Sequence, residues 1–324
     1  MKFNYLVYVG IMIVLLIFIL TFVSALTDKT WYTNTTINAS LPDVGARSAP
    51  TVFNLSGTLY MLAGQYSTDK VFGFKFTPGS GWAANSTINN SFTFPDAWPT
   101  PRVFSMDGAL TNGLIGANNG YFYGYTWNPS TSAWVVNNTV NASLGTIGTN
   151  LVSIPNVFKT PNGEWYLLSS SVNGNWFGFH WDAAGSHWDS NTTIKTGLPV
   201  LAGSGAWAAN SFYMEGSLYM LVGGGDPIGT LFGFVWDTTN NHWDTNTTIN
   251  NSLPTGMGKW PHPAVFNYSE INYMISGHFD GNFYGFTYYL TPPVTNCWGT
   301  SGKMIYVPAG CEYYIPAGTI GYTG

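Results

Sequence analysis

Three tryptophans stand out among the residues able to recognise or transform a ligand. Trp98 and Trp260 occupy equivalent points of a repeated sequence, and Trp207 lies one residue out of register with them. Close to these in sequence are Asp43, Arg47, Asp96, Arg102 and His262. A second set of segments contributes Asp69, Lys70, Asn118, Asn119, Asn173, Asn175, Asp226, His278 and Asp280. Flat indole faces flanked by amides and carboxylates suit sugars, whose C–H faces stack while their hydroxyls hydrogen-bond. The candidate ligand set is therefore Arg47, Trp98, Arg102, Trp207, Trp260, His262, His278 and Asp280. The competing reading is structural, with the indoles plugging a channel or covering sheet edges.

Hydrolysis of a glycosidic bond asks for more. It needs two carboxyl groups, one as acid and the other as base or nucleophile. Asp43, Asp96 and Asp280 are the candidates. The glutamates sit elsewhere: Glu164, Glu215 and Glu270 fall in "NGEWY", "MEGSLY" and "YSEINY", and Glu312 in the last residues. The five histidines are scattered without metal-ligand spacing, and the equivalent placement of His187 and His242 suggests a repeated structural role. "LVGGGDPIG" precedes a strand rather than a helix, so it is no phosphate loop, and no Ser or Cys has a nucleophile-elbow context. The sequence calls for no cofactor and no metal, and it favours a binding or structural module over an enzyme.

The elements that position these residues come from an internal repeat. "WYTNTTINASLP" at Trp31 returns as "WDTNTTINNSLP" at Trp243, with weaker copies at Trp82, Trp134 and Trp188. The steps are 51, 52, 54 and 55 residues. An aromatic-Gly-aromatic triplet starts at Phe72, Tyr123, Phe177, Phe232 and Tyr284, and a third marker is the apolar group "APTVF", "TPRVF", "IPNVF", "HPAVF". Each unit parses into four short alternating strands, in the first unit "PTVFNL", "TLYMLAG", "KVFGFKF" and "WAANSTI". Such units at this period predict an all-β, five-bladed propeller of four-stranded antiparallel blades over 30–290. The first Trp phrase precedes any complete blade and the last blade lacks one. The N-terminal strand is thus expected to pair into the last blade and close the ring. In this arrangement the loop into each first strand and the loop between strands two and three share one face. The glutamates of the first hairpins fall on the other face, which counts against hydrolysis.

Within this pattern "WDAAGSHW" and "WDTTNNHW" resemble degenerate Asp-box hairpins of sialidase-like propellers, with the leading Ser absent and only the Asp and closing Trp kept. In that family the box is a structural hairpin, so the resemblance implies fold and not activity. At the level of architecture the chain is also similar to five-bladed tachylectin-type lectins and to five-bladed furanosidases. The first implies a carbohydrate-binding role, the second a glycoside hydrolase of furanosidase type. A ligand-free spacer in a surface layer is the remaining reading.

Composition narrows the partners. Only 8% of residues are charged, the net charge is -5, and no basic run follows the N-terminus, which excludes nucleic acid. The expected partners are a carbohydrate or another surface protein. Residues 1–25 have the plan of a secretory signal peptide, but the apolar run is long enough to serve instead as an uncleaved anchor. A membrane contact would then involve residues 6–25 alone, and everything after Ala25 is expected outside the cell. Eleven Asn-x-Ser/Thr sequons, at Asn34, Asn38, Asn54, Asn85, Asn89, Asn137, Asn141, Asn191, Asn246, Asn250 and Asn267, are candidate glycan acceptors on outer strands. Alternatively they make a polar outer strand. The segment 291–324 breaks the period and reads as a short β-rich module, with Cys297 and Cys311 expected to form a disulfide.

Overall fold

Alternation and turn chemistry make each repeat a four-strand meander. The computed structural model describes residues 30–45, 47–65, 69–93, 97–106, 110–148, 152–171, 174–198, 208–225, 229–255, 257–289, 299–301 and 304–306. Segment 6–25, Asp96, Asn173, Trp207, Asp226, Cys297 and Cys311 lie outside the described residues, and so do the expectations placed on them. No helix among the described residues is long and apolar enough to cross a membrane.

Strand β1 (Thr30–Thr33) stands ahead of the first blade. That blade contains β2 (Ala49–Leu55), β3 (Thr58–Gln65), β4 (Lys70–Thr77) and β5 (Gly81–Ala84). The second has β6 (Thr100–Met106), β7 (Leu110–Gly116), β8 (Phe122–Asn128) and β9 (Ala133–Val136), and the third β10 (Ile154–Lys159), β11 (Trp165–Ser170), β12 (Trp176–Asp182) and β13 (His187–Ser190). The fourth has β14 (Ala208–Met214), β15 (Ser217–Gly224), β16 (Thr230–Asp237) and β17 (His242–Thr245). The fifth is built from β18 (His262–Tyr268), β19 (Ile271–Gly277) and β20 (Phe283–Tyr289), and β1 supplies its outer strand. The first strands of successive blades touch around the whole ring, β18 against β2 included. The chain is an all-β, five-bladed propeller closed by its N-terminal strand, as the repeat arithmetic requires. Residues 31–288 form one compact unit. Of a second unit, a hairpin of β21 (Gly299–Ser301) and β22 (Met304–Tyr306) is described.

The first hairpins of blades one, four and five turn through two residues: Ser56-Gly57, Glu215-Gly216 and Ser269-Glu270. Ser56, Gly57, Glu215, Gly216, Ser269 and Glu270 all have positive φ, as the twist of a tight hairpin requires. The third hairpins use a side chain instead. Asp182, Asp237 and Asn128 each accept a hydrogen bond from the backbone N–H two residues on, at 2.9, 2.7 and 3.0 Å.

The Asn/Thr phrase departs from expectation. The sequence predicts strand through its Ile, but β5 stops at Ala84; its nine sequons lie beyond the outer strands rather than on them, and the other two, Asn54 and Asn267, lie on first strands. The cause is side-chain competition for the backbone. Asn85 Oδ1 accepts from Ile88 N at 3.1 Å, and Asn246 Oδ1 from Ile249 N at 2.8 Å. Asn34, Asn137 and Asn191 accept from backbone N–H groups two residues on. This caps a helical turn that becomes α1 (Thr35–Asn38) in the first copy and α2 (Thr247–Ser252) in the last. Asn38, Asn89 and Asn141 point Nδ2 back at the sheet, donating to the carbonyls of Phe283, Val71 and Phe122 at 2.6, 2.7 and 2.9 Å.

Capping serves to drive the aliphatic residue six positions after each Trp into the blade. Ile37, Ile88, Val140, Ile194 and Ile249 are all buried. Each seats against the Gly of the aromatic triplet: Gly285, Gly73, Gly124, Gly178 and Gly233 respectively. A methyl group there would collide with the aliphatic side chain, so the glycine is a requirement of close approach. The Asn N–H that opens each turn donates to the carbonyl of the same glycine, at 2.7–2.9 Å in all five copies. Neighbouring blades are then tied through indoles. Trp82, Trp134 and Trp188 donate Nε1–H to the carbonyls of Ile37, Ile88 and Val140 at 2.9, 2.7 and 2.9 Å.

The contact yields a double-mutant test. Ile249→Ala should lower stability by about 2–5 kcal/mol and Gly233→Ala by about 1–3 kcal/mol. Together they should lower it by less than the sum, because truncating Ile249 removes the atoms nearest the added methyl. Urea unfolding of the four proteins measures this, and strict additivity would refute the contact.

Candidate functional site at the channel mouth

Arg47, Trp98 and Trp260 each stand two residues ahead of a first strand, at the same register in blades one, two and five. They also share a conformation, with φ of 62°, 63° and 55°. Large side chains rarely adopt this left-handed region, which costs about 1–2 kcal/mol per residue. The strain turns all three side chains toward one another over the channel. The Arg47 guanidinium lies 3.8 Å from the Trp260 ring centroid, 4.8 Å from that of Trp98 and 5.0 Å from that of Phe279. Phe279 meets Trp260 edge-on at 5.2 Å. Backbone bonds from Arg47 N to Phe279 O and from Phe279 N to Lys259 O, both 3.1 Å, hold the loops in register.

This collar closes the channel. The cavity lined by Arg47, Trp98, Thr100, Ile154, Trp260 and His262 holds about 20 Å³, room for a single water. A sugar ring does not fit inside it. Outside this cavity Phe279, Tyr284 and Tyr121 are exposed. None of those three aromatics was singled out from the sequence. Tyr284 opens a triplet that signalled only packing, and Phe279 and Tyr121 are single residues in loops.

Beneath the collar lie two histidines. Burial drives His262 down to a pKa of about 3, with help from His278 and the Arg47 cation. Burial likewise lowers His278 to about 4, although Asp280 pulls it the other way. Both imidazoles are neutral at pH 7, and none of their four ring nitrogens has a hydrogen-bond partner among the described residues. The His278 ring packs at 4.3 Å from Tyr284, and its backbone N–H donates to Ser48 Oγ at 3.0 Å. Burial alone would raise Asp280, but hydrogen bonds from the Asn282 side chain and backbone outweigh it and hold the carboxyl below its usual range. Asp43 accepts from Gly45 N at 2.6 Å and abuts Gly281, so it borders the loop that carries Asp280. Asp280 is thus an anion, suited to accept sugar hydroxyls or to act as a base. Neither histidine is suited to donate a proton.

The structure brings together Asp43, Arg47, Trp98, Trp260, His262, His278 and Asp280. It does not bring Arg102, which the candidate ligand set includes as an entry-loop residue. Arg102 is the third residue of β6, buried, and donates from Nη2 to Asn156 Oδ1 at 2.8 Å. It borders a separate cavity farther along the channel. Asn119 is occupied with its own loop, bonding Tyr123 Oη at 2.8 Å and the N–H of Tyr121 at 3.0 Å. The described glutamates follow expectation. Glu215 and Glu270 sit in first-hairpin turns, and Glu164 is paired with His180 at 2.8 Å.

A further pair of constellations lies on the third hairpins. Asp182, His187 and Asp189 approach one another within 4.8 Å, as do Asp237, His242 and Asp244. His187 and His242 contact Asp189 and Asp244 at 3.0 and 2.9 Å. The signal was the nine-residue pattern Trp-Asp-x4-His-Trp-Asp, written twice, in which the spacing places both carboxylates beside the imidazole across a hairpin.

Comparison with known proteins places the fold. No known protein family and no curated protein sequence matches the chain. Solved structures do. A GH43_1 enzyme from Xanthomonas citri is similar at TM-score 0.53 and 12% identity, covering 77% of this chain and 88% of that one. The α-L-arabinanase of Cellvibrio cellulosa, solved with arabinohexaose, is similar at TM-score 0.52 and 12% identity, with 76% and 92% covered. An α-L-arabinofuranosidase from Podospora anserina, solved with cellotriose, gives 0.51 and 14%, with 82% and 98% covered. Sequence identities this low speak for a shared five-bladed propeller architecture.

The buried histidines make stability depend on pH. A pKa lower in the folded than in the unfolded state means that the unfolded chain binds the extra proton. Stability from His262 and His278 is therefore complete above about pH 6.5 and lost as pH falls toward 4 and then 3. Each contributes a slope of at most about 1.4 kcal/mol per pH unit. Thermal unfolding from pH 7 to 4 should show a falling midpoint, with a flatter profile for His262→Gln. An unchanged profile in that variant would contradict the burial.

Proposed function

We propose that the chain is an exported carbohydrate-recognising propeller whose ligand lies across the collar of Arg47, Trp98, Trp260 and Phe279. The observation that carries this reading is the collar itself. Strained Trp98 and Trp260, from blades two and five, converge on the strained cation Arg47 of blade one, beside exposed Phe279, Tyr284 and an ionised Asp280. Aromatic faces offer stacking, and Asp280, Asn282 and Asp43 offer hydrogen-bond partners for hydroxyls. Similarity to propellers solved with arabinohexaose and with cellotriose supports a polysaccharide as the ligand class.

Hydrolysis is the second reading, and the structural neighbours fit it more closely than they fit binding alone, because those proteins are glycosidases. Asp43 and Asp280 border the same loop and are the described carboxylates that could serve it. Against it stands the acid. Asp280 is held ionised, and the described glutamates lie in the first hairpins, on the other face.

Calorimetric titration with arabinan- and xylan-derived oligosaccharides, run beside a reducing-sugar assay, separates the readings. Binding should weaken up to roughly tenfold in Phe279→Ala and in Trp260→Ala, as expected for loss of one stacked ring. Turnover lost in Asp43→Asn or Asp280→Asn, with binding kept, would establish hydrolysis. Absence of both binding and turnover across a broad glycan array would sink the proposal.

A further inference from the structure

The third positions of the five first strands form one layer of the channel: Thr51, Arg102, Asn156, Asn210 and Ala264. All are buried. Besides Arg102, three of them reach across to the next blade. Thr51 Oγ1 accepts from Val103 N at 3.5 Å, Asn156 Oδ1 from Ser211 N at 3.0 Å, and Asn210 Oδ1 from Val265 N at 3.0 Å. Asn156 Nδ2 also donates to Ser211 Oγ at 2.8 Å. The layer is thus a girdle of neutral amides and hydroxyls with one cation set into it. The Arg102 guanidinium makes one side-chain hydrogen bond, to the neutral Asn156, and faces no carboxylate among the described residues. Burial alone lowers its pKa to about 10, so it is charged at pH 7.

A buried, uncompensated guanidinium is costly, and proteins normally pair it. Here the space for a partner exists. A cavity of about 290 Å³ borders Arg102 together with Thr51, Ser105, Lys159, Asn210 and Ser211. Its wall brings a second cation in Lys159, hydroxyls in Thr51 and Ser211, and the amide of Asn210. No Asp or Glu is part of that wall.

We propose that this cavity is a binding site for a small monovalent anion, a halide or a carboxylate, held against Arg102 on the side of the channel away from the collar. The anion supplies the charge that the girdle lacks and ties blade two to its neighbours. Ligand binding to the folded state alone raises the unfolding midpoint in a saturable way.

The test is thermal unfolding of the full chain in chloride, bromide and acetate, with ionic strength held constant by a bulky sulfonate. Wild type should gain several degrees and saturate, and the ranking of halides against acetate identifies the source of the charge. Arg102→Met should lose the response and be no less stable than wild type when the anion is absent. Asn156→Asp, which places a carboxylate against Nη2, should be stable without added anion and insensitive to it. It also serves if Arg102→Met does not fold. A bromide-soaked crystal should show anomalous density beside Arg102. Equal, unsaturable responses to every salt, or bromide absent from the cavity, would overturn the site.

Discussion

Ring closure depends on the seat of one isoleucine. In four blades the aliphatic residue of the Asn/Thr phrase packs on the glycine of the blade that precedes it in sequence. In the fifth, that role falls to Ile37, which reaches Gly285 from the other end of the chain. Asn34 donates from its backbone to Gly285 O at 2.7 Å and from its side chain to Thr287 Oγ1 at 2.7 Å. Trp31 packs against Tyr288 and Phe212. Without this segment blade five would expose the edge of β20, and the unfilled seat at Gly285 would leave a hole between blades. The same phrase therefore acts as local packing four times and as the clasp of the ring once.

Closure is what allows strain at the mouth. Three left-handed non-glycine residues facing one another would relax if their loops were independent. They are not independent, because β18 packs against β2 across the closing seam and Arg47 and Ser48 are bonded to Phe279 and His278 of the last blade. The collar thus joins residues from both ends of the propeller, and its geometry reports whether the ring is shut. A ligand resting on it meets side chains whose positions are already determined, which reduces the ordering cost of binding.

Much of this could be read from residues alone. Period, strand number and the displaced first strand all follow from spacing, because a strand reveals itself by alternation and a blade by repetition. The end of β5 at Ala84 was missed for a local reason: a strand-like string containing Asn was capped by that Asn. The conformation of the collar was illegible for a deeper one. Trp98 and Trp260 were visible as equivalent indoles, but positive φ is imposed by loop closure and leaves no mark in residue type. That Arg47 would fill the space between them depends on contacts among blades one, two and five. Arg102 was misplaced because a two-residue difference in depth separates a loop from the interior of a strand, and repeat alignment resolves the register but not the depth.

The two ends of the channel differ in how they treat charge, and this bears on what the propeller can do. At the mouth the Arg47 cation is spread over three aromatic rings and lies near the ionised Asp280 loop, while both histidines are kept neutral by burial. A weakly hydrated cation stacked on rings loses little on desolvation, so the mouth can be covered by a neutral ligand such as a sugar. Deeper in, Arg102 makes its one side-chain hydrogen bond among the described residues to the neutral Asn156, so its charge is left without a carboxylate there. A glycosidase centre needs carboxyls where the bond is broken, and the third-position layer of this channel has none: Thr51, Arg102, Asn156, Asn210 and Ala264 fill it. The described carboxylates Asp43 and Asp280 stand instead at the rim, on either side of Gly281.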